Sequence, residues 1–153
     1  MRFLNLVLVN FIFFSFSTHL QAQNSIVDNS AERIYQEGIQ HVNKLNFSAA
    51  RERFETYLNS TNSRKINTVN AKYYRAYAAL NLFNNDGEYL VEQFIEENPE
   101  HPKALTANYE LGKFYYNENN ASKAIQYLLK AESGRYFTKS EKNEIQYKLG
   151  YSY

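Results

Sequence analysis

From residue 31 onward the apolar side chains recur every three to four positions, which is the period of an α-helix and not of a strand. The recurrence comes in segments, and the segments come in pairs. Ile34, Gly38, Ile39, Val42 and Leu45 share one face; after a short turn at Asn46-Phe47-Ser48, Ala49, Ala50, Phe54, Tyr57 and Leu58 form a second. A polar connection over 59–64 leads into a longer segment, 66–83, with Ala71, Tyr74, Ala78 and Leu82 on one stripe. Asp86-Gly87 interrupts the pattern, and Tyr89, Leu90, Phe94 and Ile95 resume it over 88–97. Pro99 and Pro102 stop that helix and start the next, since proline is tolerated in a first helical turn and disruptive further in. Segments 104–116 and 121–131 make a third pair, and 140–153 begins another. Ser30 is placed to cap the first helix at Ala31, with Arg33 where a full capping box would carry an acid. Only 5 Gly and 2 Pro in 153 residues leave few breaks for a turn-rich β fold, so the class expected is all-α.

The pairs also align on one another. A small residue lies near the middle of each first helix, at Gly38, Ala78, Gly112 and Gly150, at intervals of 40, 34 and 38 residues. Twelve residues after the first three come Ala50, Leu90 and Ala124, and four further on come Phe54, Phe94 and Leu128. A residue with little or no side chain lets the neighbouring helix approach closely, and the Phe or Leu fills the space between units. One hairpin of this kind cannot bury its apolar face alone, so the units must stack.

These residues resemble the tetratricopeptide repeat (TPR) family. Leu111-Gly112, Tyr115, Ala124 and Ala131 fall on the family's Leu-Gly, Tyr, Ala and Ala positions, and Pro102 falls on a repeat-terminal proline. Tyr147-Lys148-Leu149-Gly150-Tyr151-Ser152-Tyr153 matches the opening of a further repeat. The resemblance covers 31–153, about three and a half repeats, with Glu37, His41, Ala78 and Leu90 as departures from the pattern. It implies a right-handed α-solenoid of antiparallel helix pairs, truncated in its last repeat, with a concave groove lined mainly by the first helices. Counted along the repeat, the groove positions are Tyr35, Asn43, Lys72, Arg75, Tyr109, Lys113, Tyr116, Asn117, Tyr147 and Tyr151. Tyrosine there would bring apolar area and a polar tip at low entropic cost, which suits a protein- or peptide-binding surface. Tyr74, Tyr115 and Tyr127 are expected instead in the cores between repeats.

The N-terminus points to export. Arg2 precedes a 14-residue apolar run, 3–16, and Ala22 offers a cleavage site. A spanning helix needs about 20 apolar residues, so 1–22 is read as a removed signal peptide, 23–30 as a polar linker, and no membrane span is expected afterwards. Without those 22 residues the chain carries 16 basic and 16 acidic side chains. That balance argues against nucleic-acid binding and against a polybasic membrane patch. Absence of cysteine excludes disulfides, thiolate nucleophiles, Cys-ligated zinc and a lipid anchor on cysteine. His19, His41 and His101 stand apart with no metal-ligand spacing, and no glycine-rich phosphate loop or serine-nucleophile motif is present. No metal, no cofactor and no catalysis are expected. The expected function is a non-catalytic exported scaffold, in the periplasm or on the outer surface of a bacterium, that binds a protein or peptide. The alternative is the extracytoplasmic sensory region of a membrane-anchored signalling protein.

Overall fold

The computed structural model describes residues 30–60, 65–134 and 137–153, so the expected signal peptide and the linker up to residue 29 lie outside the described residues. The described residues form helices and turns, with no strand. The helices are α1 (30–43), α2 (Phe47–Asn59), α3 (Lys65–Asn81), α4 (Gly87–Glu97), α5 (Pro102–Asn117), α6 (Ala121–Glu132) and α7 (Lys139–Ser152). Ser30, expected as a cap, is already helical.

Three of the turns are built alike, around Asn46, Asn84 and Asn120. The residue before each asparagine is left-handed, with φ of 56° at Leu45, 53° at Phe83 and 58° at Asn119. Its amide donates to the carbonyl three residues back (Val42, Leu80, Tyr116), and the asparagine amide donates five back (His41, Ala79, Tyr115), at 2.9 to 3.1 Å. This is the Schellman end of a helix, and it satisfies carbonyls that the helix leaves open. Asn46 and Asn120 then act a second time, as N-caps whose side chains accept from Ala49 and Lys123 at 3.4 and 3.2 Å. In the middle hairpin the two duties separate. The Asn84 side chain accepts from Arg51 at 2.7 Å, and α4 starts two residues later, after Asp86. Gly87 then lies so close to the end of α3 that a Cβ would stand 2.9 Å from the Ala79 carbonyl and the Leu80 backbone.

Those two extra residues correct the sequence alignment. Ala78 was expected to match Gly38 and Gly112, but each of those glycines stands seven residues before its left-handed residue, and the residue so placed in α3 is Ala76. The ring contacts agree: Tyr35 meets Phe54 edge-on at 5.8 Å, and Tyr73, the residue at the same offset, meets Phe94 edge-on at 5.4 Å. Phe54, Phe94 and Leu128 each stand eight residues after an N-cap and are fully or almost fully buried. Phe54 and Leu128 lie directly over glycine, since a Cβ on Gly38 would come within 2.8 Å of the Phe54 ring and one on Gly112 within 2.6 Å of the Leu128 side chain.

Each helix from α2 to α6 packs on the next, and α3 packs on α5 and α5 on α7. α1 joins through Gly38 beneath Phe54 and through Asn67 of α3, which donates to Glu32 at 2.8 Å. The buried residues form two clusters. One holds Tyr35, Phe54, Tyr57, Ala71 and Ala78; the other runs from Tyr73 to Leu149. Tyr74 fills space between units as expected, stacking on Phe54 at 5.4 Å, whereas Tyr115 and Tyr127 stack on each other within one hairpin at 5.6 Å and reach the preceding unit through their hydroxyls.

Two apolar expectations, Leu45 and Leu82, fail for one reason. Leu45 and Phe83 sit in the left-handed turn positions and are 70 % exposed, and Leu82 is carried outward beside them. Tyr89 is also exposed, and Val91 takes the buried place in α4. Phe47 opens α2 instead of lying in a turn, and it packs edge-on against Tyr77 at 5.6 Å. At the other end, Thr138 and Glu141 form a reciprocal capping box that starts α7.

Polar ties spanning 27 to 35 residues link successive units. Arg51 grips Asp86 with both guanidinium ends, at 3.0 and 2.8 Å, a fork geometry that fixes direction as well as distance. The Tyr127 hydroxyl donates to Glu92 at 2.6 Å and that of Tyr109 to Glu144 at 2.7 Å; Tyr115 donates to Glu88. Burial pushes the Tyr35 hydroxyl up to about 12. It also raises Tyr73, Tyr109, Tyr115 and Tyr127, the last three with further help from the carboxylate each one faces. A folded value above the unfolded one of about 10 means that this stability is complete below pH 10 and is lost as pH rises through the folded values. Alkaline titration is therefore expected to show exposed tyrosines ionising first, then a cooperative rise in tyrosinate absorbance coincident with loss of helix. Non-cooperative ionisation of all 14 tyrosines near pH 10, with helix retained, would contradict it.

Candidate functional site

Two clefts flank the C-terminal half of α5. The first, about 100 Å³, lies where the ends of α3 and α5 meet and is lined by Leu80, Asn81, Phe83, Glu110, Lys113, Phe114 and Asn117. The second, about 240 Å³, lies between the α5–α6 turn and the end of α7 and is lined by Tyr116, Asn119, Ala121, Tyr151 and Ser152.

The first cleft takes its shape from the α3 cap. The left-handed turn at Phe83 holds an exposed ring over the opening, 5.9 Å from that of Phe114. A large apolar residue in that conformation costs on the order of 1–2 kcal/mol. Lys113 reaches the Glu110 carboxylate at 3.2 Å and lies 4.9 Å from the centre of the Tyr109 ring. Burial raises the Glu110 carboxyl, and Lys113 opposes that shift. In the second cleft the Lys148 ammonium covers the Tyr116 ring at 4.1 Å, and Tyr151 packs on Tyr147 at 4.5 Å. The linings thus offer aromatic faces, side-chain amides and one carboxylate–ammonium pair.

Of the ten residues expected in a groove, the structure brings Lys113 and Asn117 into the first cleft and Tyr116 and Tyr151 into the second. Tyr147 lies against Tyr151, and Asn43 is exposed at the end of α1. Tyr35 and Tyr109 are buried: Tyr35 packs on Phe54 and Tyr57, and Tyr109 packs on Phe137 while its hydroxyl serves Glu144. Lys72 and Arg75 turn toward α4, where Lys72 meets Glu97 at 2.8 Å. Counting from Ala78 instead of Ala76 is what selected Arg75, which stands three residues before it as Tyr35 and Tyr109 stand before Gly38 and Gly112.

With the register taken from the caps, Asn43, Asn81 and Asn117 occupy one position, the last residue of three successive first helices. Asn81, Phe83, Glu110 and Phe114 line the first cleft and were missed. The recurring pairs Leu45-Asn46, Phe83-Asn84 and Asn119-Asn120 were the signal that would have found the register. His101 has a structural task, since its Nδ1 accepts from the Lys103 amide at 3.2 Å and caps α5. Among the described residues no group of His, Asp or Glu side chains is arranged to hold a metal, and no helix is long and apolar enough to cross a membrane. No family model, no curated protein and no solved structure matches the chain.

Proposed function

We propose that this chain is a non-catalytic, TPR-like scaffold, a right-handed solenoid of helix pairs that binds an extended segment of another protein along the ends of its first helices. The observation that carries this is the recurrence of asparagine at 43, 81 and 117, with an aromatic cleft between the last two. A carboxamide offers both donor and acceptor, the complement of a peptide group, and Phe83 and Phe114 supply apolar area beside it. Asn81 already donates to the Tyr77 carbonyl at 2.8 Å, so its oxygen is the part left to accept. Linings of this kind suit holding a partner rather than transforming one. Export to the periplasm or outer surface rests on the N-terminal sequence, Arg2 with the apolar run 3–16.

Selection of binders from a displayed library of unstructured peptides tests the proposal. Loss of one hydrogen bond is worth about 0.5–1.5 kcal/mol, so Asn117→Ala or Asn81→Ala should each weaken a selected peptide by roughly two- to tenfold, and the pair by more than either. Lys139→Ala, at the far end of α7, should leave binding unchanged. Peptides that bind the double variant as well as the parent would show that the ladder is not the site.

A further inference from the structure

The first cleft is walled by helices from the middle of the chain. α3 packs on α2, α4 and α5, and α5 packs on α4 and α6. What the cleft leaves open is therefore set by its own side chains, and the groups left free are chiefly acceptors. Asn81 uses its amide on the Tyr77 carbonyl at 2.8 Å, which leaves its oxygen. The Glu110 side chain is 15 % exposed; Lys113 takes its Oε2 at 3.2 Å, and its Oε1 receives no hydrogen bond from the described residues. Burial raises the Glu110 carboxyl, and Glu144 and Glu141 of α7 raise it further, so it gains from any added positive partner. The Phe83 and Phe114 rings stand 5.9 Å apart, tilted by 40°, and Phe114 is held edge-on by Tyr115 at 5.4 Å. A ring face carries negative potential. Lys113, the cation of the lining, is drawn to Glu110 and lies 4.9 Å from the centre of the Tyr109 ring.

We infer that the first cleft receives an arginine side chain of the partner segment. This rests on the proposal that an extended segment lies along the ends of the first helices, and it names the residue that such a segment carries at the cleft. A guanidinium is planar, has N–H donors and no acceptor, and stacks on aromatic faces. It therefore complements the two rings and the two free oxygens together. Those oxygens come from different helices, Asn81 from α3 and Glu110 from α5, and a rigid fork of donors can serve both. An acidic side chain in that place would face the Glu110 carboxylate, and an apolar one would leave both oxygens without a donor. Lys113 competes with the incoming group for the same carboxylate, and removing it frees Glu110 for the guanidinium.

The probe is N-acetylarginine amide, titrated into the 153-residue chain and followed by NMR at the Phe83 and Phe114 rings and the Asn81 side-chain amide. Those signals are expected to move together and to saturate at millimolar probe. The citrulline analogue has nearly the same shape, no charge and one acceptor in place of a donor, and it should bind at least about tenfold more weakly. Glu110→Gln should weaken the arginine probe by at least about tenfold, and Lys113→Met should tighten it, with circular dichroism unchanged in both variants. Loss of packing would weaken binding in both, so shifts in opposite directions are the result required. Equal binding of the two analogues, or cleft signals that stay still at tens of millimolar probe, would overturn the inference. It and the peptide proposal can fail separately. Selected peptides that lose affinity with Asn81→Ala yet need no arginine would sustain the asparagine ladder and overturn the arginine site, whereas arginine binding with no selectable peptide would do the reverse.

Discussion

Phe54→Ala is expected to destabilise the protein by about 3–5 kcal/mol, the range for emptying a large aromatic site in a core. The ring is fully buried, covers Gly38, and touches Tyr35 and Tyr74 at 5.8 and 5.4 Å. Little can collapse into the space, because its floor is a glycine and its walls are tyrosines held by further partners. A domain's whole stability is about 5–15 kcal/mol, so the variant should lose a large share of it. The loss should be local in character. Phe54 belongs to the cluster shared by α1, α2 and α3, whereas α5, α6 and α7 are held by the other. Urea denaturation followed by far-ultraviolet circular dichroism measures the effect, and an early partial transition is the expected form. A shift equivalent to less than about 1 kcal/mol would mean that the site relaxes in a way the packing does not suggest.

One kind of substitution should have opposite effects at two equivalent glycines. Gly112→Ala places a methyl group 2.6 Å from two atoms of the Leu128 side chain and 3.1 Å from its backbone nitrogen. Overpacking of this sort costs typically about 1–3 kcal/mol, and the gain in helix propensity, about 1 kcal/mol at most, only partly offsets it. Gly150→Ala meets no neighbour and should raise stability by roughly 0.5 kcal/mol through propensity alone. The denaturation midpoints should therefore move in opposite directions from the parent. If Gly112→Ala were as stable as the parent, α5 and α6 would have to sit further apart than described.

Much of the fold was legible because the helical period and the pairing of small with large residues are local facts. Gly38 with Phe54, and Gly112 with Leu128, are read at a fixed interval within one hairpin, and the structure makes both contacts. The middle hairpin was misjudged because two residues, Asn85 and Asp86, lengthen its turn, and periodicity carries no record of a turn's length. Arg75 was placed in the groove for that reason, and Asn81 was missed. Leu45 was counted on an apolar face because it is apolar; only the backbone shows that it caps a helix in a left-handed conformation. The partners of Tyr109 and Tyr127 lie 35 residues away, where a chain read segment by segment gives no reason to pair them. The Thr138–Glu141 box was a readable local signal that went unused.

From α2 to α7, packing never reaches further than two helices along the chain. Every core contact is thus made by closing a loop of modest length, and the entropy lost in closing a loop rises only slowly with its size. A topology with such a low contact order is one that folds without waiting for distant segments to meet. It also has no residue whose place depends on how long the chain is. A polypeptide assembled on this plan can gain or lose a whole hairpin at its edge, and the conformational cost of forming every other hairpin stays the same.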